Sequence, residues 1–176
     1  VTLVSGSSRR RRATVAYRIL VVDDQEPIRE LLTHVLQKEG YEVILAPDGL
    51  EAIRLVESKR PHLVILDVRM PELDGVETCW RLRSQERTRS TPIIIATAFG
   101  EVVVEALDAG ADDFVTKPFH MADVLARVKA LLKVRHLEDG IERTWAYIQE
   151  LRGNFSSLEI GDLGRSIGTT ATPVTS

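Results

Sequence analysis

Five side chains in this sequence could do chemistry together if the chain gathers them. They are the adjacent carboxylates of Asp23 and Asp24, the carboxylate of Asp67, the hydroxyl of Thr97 and the ammonium of Lys117. Each lies at the end of a short apolar run, at residues 19–22, 63–66, 93–96 and 114–115. Three carboxylates held close repel one another and resist desolvation, a conflict that a cation resolves. Mg²⁺ suits such a site, because it takes oxygen ligands and keeps waters and phosphate oxygens beside one or two protein carboxylates. A carboxylate next to the ion can then act as nucleophile toward a phosphoryl donor, while ion and ammonium offset charge on the equatorial oxygens. On this chemistry Asp67 is the acceptor, Asp23 and Asp24 hold the metal, and Thr97 and Lys117 receive the phosphoryl oxygens. Singly, each has an ordinary explanation as a helix cap, a turn residue or a surface lysine. Their joint placement carries the reading.

The elements that must position them follow from periodicity. Apolar runs at 19–22, 43–45, 63–66, 93–96 and 114–115 predict five strands, and the first, third and fourth are apolar throughout, as in parallel strands covered on both faces. Ile28, Leu31, Leu32, Val35 and Leu36 form a helical stripe that opens near Pro27 and closes at Gly40. Ala52, Ile53 and Val56 mark a second helix, residues 76–83 and 102–109 a third and fourth, and a fifth begins near Met121. Alternating strands and helices with right-handed crossovers imply an α/β, doubly wound parallel sheet, whose ligands sit at the carboxyl ends of the strands.

Composition sets bounds. A chain of 176 residues, 44% hydrophobic, accommodates one domain with extensions. Its formal net charge of -3 includes Arg9, Arg10, Arg11 and Arg12 near the start, so the remainder is more acidic than the whole, which argues against a nucleic-acid surface. Residues 1–16 read as a disordered basic leader, without the apolar stretch of a secretory signal, and no run is long enough for a membrane span. The single cysteine, Cys79, reads as an apolar filler on a helix and points to a reducing, cytoplasmic setting. His34, His62, His120 and His136 share no metal spacing and are expected at surface or helix positions.

Four segments carry a resemblance to a known family: residues 19–24, 64–75 (Val-Ile-Leu-Asp-Val-Arg-Met-Pro-Glu-Leu-Asp-Gly), 96–99 and 112–119. They resemble the motif blocks of response-regulator receivers, over about residues 17–134. The resemblance implies a flavodoxin-like strand order 2-1-3-4-5 and Mg²⁺ held by Asp23, Asp24, Asp67 and the main-chain carbonyl of Arg69. It also implies a switch aromatic at Phe114, hydrolysis tuned at Arg69 and Phe99, and a phosphohistidine on a sensor kinase or phosphotransfer protein as donor. Lys117-Pro118 matches a bond that is often cis in the family. Two departures stand out: Phe114 lacks the hydroxyl of the usual tyrosine, and His120 replaces a frequent Asp, which weakens the cap of the last helix by ~0.5–2 kcal/mol.

Beyond residue 134, Val134, Ile141, Ile148 and Phe155 recur every seven residues, with Leu137, Thr144 and Leu151 as a second series. Read as a and d positions, they predict an extended helix over residues 121–152, with residues 135–153 forming a parallel dimeric coiled coil, folding back on the domain or leading to absent sequence. Residues 154–176, rich in Gly, Ser and Thr, are expected to be flexible.

The resulting expectation is a phosphorylatable receiver in which no catalytic output domain is recognised, whose output is a protein partner or lies on sequence this chain lacks, with no direct action on nucleic acid or membrane. Two alternatives stay open: a receiver-like binding module that is never phosphorylated, and an aspartyl-phosphate phosphatase. The phosphatase is disfavoured because haloacid-dehalogenase-like enzymes carry an acid two residues after the nucleophile, where this chain has Arg69.

Overall fold

The computed structural model describes residues 16–98, 103–135, 137 and 140–166, with side chains up to 154. Strands β1 (Arg18–Val22), β2 (Glu42–Ala46), β3 (Leu63–Asp67), β4 (Ile93–Ala98) and β5 (Asp113–Lys117) alternate with α1 (Glu26–Lys38), α2 (Gly49–Lys59), α3 (Gly75–Ser84), α4 (Val103–Asp108) and α5 (Met121–Val134). A last helix, α6, runs from Gly140 to Ser166. All pairings in the sheet are parallel, in the order β2-β1-β3-β4-β5. The expected topology is therefore the observed one.

Strand alternation divides the core into two layers. Ile19, Val21, Ile65 and Ile94 face α1 and α5, against Leu32, Leu36, Val128 and Leu131. Leu20, Val22, Leu66 and Ile95 face the other side, against Ala52, Val56, Cys79, Leu82 and Ala106. Strands filled on both faces cannot alternate apolar with polar, so the central runs read as continuous. Cys79 is the filler expected: it is fully buried, and burial pushes its thiol up to about 11. His62, by contrast, lies in the half-buried turn before β3, where Nδ1 accepts from the Arg18 backbone N–H at 2.9 Å.

Local chemistry sets several boundaries. Asp48 and Asp74 cap α2 and α3, accepting from Glu51 N at 2.7 Å and Glu77 N at 2.8 Å. His120 forms no side-chain cap on α5, as its substitution for an acid leads one to expect.

The C-terminal region departs from the expectation. The helix is not continuous over 121–152: α5 ends at Val134 and α6 begins again at Gly140. The seven-residue series is not a free seam either. Val134 belongs to the buried core at 4% exposure, whereas Ile141 is 83% exposed. What α6 turns inward is Ala146 and Tyr147, outside the series, together with Leu151 from its second set, packed on the α5 layer. Polar pairs complete the contact: Arg143 with Asp112 at 3.5 Å, Lys133 with Glu150 at 2.7 Å, and the Asn154 amide donating to the Ala126 carbonyl at 3.4 Å. The Tyr147 hydroxyl and the Arg127 guanidinium both donate to the Asp113 carboxylate. The fold-back arrangement is thus the one adopted. The helix also continues to Ser166 through residues expected to be flexible. Residues 1–15 of the leader and 167–176 of the tail lie outside the described residues.

Tyr147→Phe tests how firmly α6 is held. It removes a buried hydroxyl that donates to a carboxylate, and a loss of about 1–2 kcal/mol is expected in urea unfolding. An unchanged midpoint and slope would mean that this bond contributes nothing to the docking.

Candidate phosphoacceptor and metal site

The five side chains singled out by type lie at the carboxyl edge of the sheet. Asp67 ends β3 and pairs in register with Ala96, Thr97 is the next residue of β4, and Lys117 ends β5 beside Ala98. Asp23 and Asp24 leave the end of β1, which neighbours β3. Residues 94 positions apart in sequence thus meet directly: Lys117 Nζ lies 2.6 Å from Asp23 Oδ2 and 2.9 Å from Asp67 Oδ1. The peptide bond after Lys117, to Pro118, is cis.

Carboxylate oxygens of Asp23, Asp24 and Asp67 all lie within 4.8 Å of one another. Asp23 and Asp67 are buried at 2% and 4% exposure, whereas Asp24 is exposed. Burial pushes the Asp67 carboxyl above its ordinary value, the Lys117 ammonium pulls it back, and the charges of Asp23 and Asp24 push it up again. Burial also pulls the Lys117 ammonium down, but its bonds to Asp23 and Asp67 outweigh this and the net shift is upward. The two shifts differ in origin: burial chiefly raises Asp67, whereas the two carboxylates it contacts raise Lys117. A hard dication fits this donor set of clustered oxygens, where one lysine leaves charge uncompensated.

Other expected residues take varied places. Thr97 is buried, its hydroxyl donating to the Ala98 carbonyl at 3.2 Å. Phe114 is half-buried against the α2–α3–α4 layer and also lines a cavity of about 60 Å³ with Thr116, His120 and Arg127. Arg69 is exposed in the turn after β3. Phe99 lies outside the described residues.

Two features were not anticipated from the sequence. Gly75, at the start of α3, packs so closely on β3 that an added Cβ would lie 2.1 Å from the Asp67 carbonyl oxygen. Arg29, on the first turns of α1, donates from Nη1 to the carbonyls of Asp23 at 2.7 Å and Asp24 at 3.0 Å. No side-chain pattern signals such bonds, because their acceptors are backbone carbonyls.

A doubly wound sheet with three acids, a hydroxyl and a lysine at its carboxyl edge belongs to the class of signal-receiver domains, as comparison with known proteins shows. The family profile described as response regulator receiver domain matches residues 19–129, and the chain belongs to that family. It is 48% identical over 127 residues to the response regulator MprA of Mycobacterium ulcerans, covering 71% of this chain and 54% of that protein. To the MprA of Mycolicibacterium vanbaalenii it is 44% identical over 152 residues, covering 85% and 62%. The chain therefore spans about half to two-thirds of the length of these relatives.

Among solved structures, the receiver domain of a signal transduction histidine kinase from Syntrophus aciditrophicus aligns with TM-score 0.66 and 38% identity, over 71% of this chain and 96% of that one. The receiver domain of a sensor histidine kinase from Pseudomonas aeruginosa aligns with TM-score 0.64 and 32% identity, over 67% and 98%. That structure holds a magnesium ion in its active-site cleft. Among the described residues no helix is long and apolar enough to cross a membrane.

Proposed function

We propose that this chain is a phosphorylatable switch that takes a phosphoryl group from a phosphohistidine onto Asp67. The observation that carries the proposal is the buried Asp67 carboxylate, which shares one ammonium with Asp23 and is clustered with Asp23 and Asp24. Asp23, Asp24 and Asp67, with the Arg69 carbonyl, would hold Mg²⁺, which offsets charge on the transferring phosphoryl group. An Asp67 oxygen attacks phosphorus, the phosphorus–nitrogen bond of the donor breaks, and the imidazole leaves with its electron pair. Lys117, which bonds Asp67 directly, is placed to keep one cation on the new phosphoryl oxygens. Thr97 sits one residue along β4 from the partner of Asp67 and can turn its hydroxyl toward the same oxygens. That movement biases Phe114 on the adjoining strand, the two arrangements being in equilibrium before modification.

The donor on this reading is a sensor kinase or phosphotransfer protein, in the cytoplasm. The switch then acts on a protein partner or through a region outside this sequence. The phosphatase reading has no acid two residues after Asp67 to support it, since Arg69 stands there.

The test is incubation of the full chain with a small acyl phosphate, followed by intact-mass measurement. A gain of one phosphoryl group with Mg²⁺, and none with a chelator, is the expected result. No gain under either condition, nor with candidate histidine kinases, would leave the unmodified binding module as the better reading.

A further inference from the structure

We propose that Arg29 is a positioning residue for the divalent cation: by clamping two successive backbone carbonyls it keeps the Asp24 carboxylate in the ligand cluster. The inference rests on the Mg²⁺ reading above and deepens it. Asp23 needs little help, because its Oδ1 accepts from Gln25 N at 2.9 Å and its Oδ2 from Lys117 Nζ at 2.6 Å. Asp24 differs. It is exposed, and among the described residues no side chain or backbone N–H is seen to bond its carboxylate, yet that group lies within 4.8 Å of those of Asp23 and Asp67. Three negative groups so placed tend to separate, and the exposed one has the most freedom to move away.

Its restraint must come from the backbone that carries it. Apart from the Asp23 Oδ1 bond to Gln25 N, the loop between β1 and α1 has little to fasten it there, since Gln25 makes no side-chain cap and Pro27 brings no N–H. In place of a cap, one guanidinium nitrogen takes both loop carbonyls, at 2.7 and 3.0 Å. Fixing those peptide planes fixes where the Asp24 Cβ leaves the chain. Arg29 is itself half-buried on α1, where Thr33 Oγ1 donates to its carbonyl at 2.7 Å, so the clamp is anchored to a helix packed on the core.

Charge and geometry predict opposite signs for its removal. As a nearby cation, Arg29 repels Mg²⁺, and its loss should tighten binding. As a clamp, its loss should loosen binding, because groups that orient metal ligands typically control affinity by about 10–100-fold.

The experiment is calorimetric titration of the full chain with MgCl₂. Arg29→Gln is expected to weaken binding about tenfold, and Arg29→Lys, which keeps a donor for at least one carbonyl, to recover part of that loss. Unchanged or tighter binding by Arg29→Gln overturns the proposal. A general loosening of the fold is separated by a cycle with Asp24→Asn. If Arg29 acts through Asp24, adding Arg29→Gln to Asp24→Asn costs little further affinity, whereas a full tenfold additional loss overturns the proposal. Absence of Mg²⁺ binding by the unaltered chain overturns the reading on which this one depends, and both then fall together.

Discussion

Asp67→Asn is expected to gain no phosphoryl group from a small acyl phosphate and Mg²⁺, while remaining folded. The amide keeps the shape of the side chain and an oxygen that can still accept from Lys117 Nζ, now 2.9 Å from the carboxylate. It lacks the charge that makes the oxygen a nucleophile. Stability should not fall with activity, for a reason visible in the titration of the acid. The folded-state pKa of Asp67 is raised, chiefly by burial. As pH climbs from the ordinary carboxylate range through that raised value, the unfolded chain loses its proton first, so this group's contribution to stability declines and stays low at neutral pH. The substitution removes that cost, and Lys117 retains Asp23 at 2.6 Å. A melting temperature at or above that of the unaltered chain is expected at pH 7. Intact mass decides the chemistry: an adduct that persists in the substituted protein moves the acceptor elsewhere, whereas Mg²⁺-dependent modification confined to the unaltered chain supports Asp67.

The second large effect is expected at Gly75. An added methyl there would meet the Asp67 carbonyl oxygen at 2.1 Å, the Asp67 carbonyl carbon at 2.9 Å and the Val68 Cα at 2.9 Å, all of them backbone. No flexible side chain can yield. The Gly75 N–H also donates to the Val68 carbonyl at 2.8 Å, which ties the start of α3 to the end of β3. Relief requires parting helix from strand, and overpacking of this kind typically costs about 1–3 kcal/mol, with the upper end expected where only backbone is in the way. Because the obstacle is the peptide of the proposed acceptor, Gly75→Ala should also weaken Mg²⁺ binding. Urea unfolding measures the first effect and calorimetry the second. Gly153, with nothing within 4 Å of an added Cβ in α6, provides the contrast: Gly153→Ala should stabilise by up to about 1 kcal/mol. Equal stability of the two variants would refute the close-approach argument.

Much of this architecture was legible because its determinants are local and repetitive. Residues 19–22, 63–66 and 93–96 are buried on both faces, and such strands announce themselves as unbroken apolar runs. Residues 114–115 gave only the middle of β5, since Asp113 and Lys117 at its ends are charged for other reasons: one anchors Arg127 and Tyr147, the other joins the acidic cluster. The acids and lysine of the site could be placed because parallel topology sends every strand's carboxyl end to the same edge. The C-terminal helix was harder. Its spacing of seven was real in the sequence, but the contacts that seat it combine a short apolar patch with polar, long-range pairs such as Arg143 with Asp112 and Tyr147 with Asp113. Apolar periodicity cannot report these. Arg29 escaped notice similarly, as its partners are carbonyls that every residue possesses.

The docking of α6 changes what any visiting protein meets on α5. Residues 135–139 join the two helices, so α6 is a tethered competitor for its own seat. Short tethers hold a segment at effective concentrations in the roughly millimolar range. A visitor that needs the strip of α5 around Ala126, Arg127 and Lys133 therefore binds only the fraction of molecules in which α6 has lifted away. Its apparent dissociation constant exceeds the intrinsic one by the reciprocal of that fraction. Any substitution that loosens α6, Tyr147→Phe among them, raises affinity for such a visitor without touching the surface it binds.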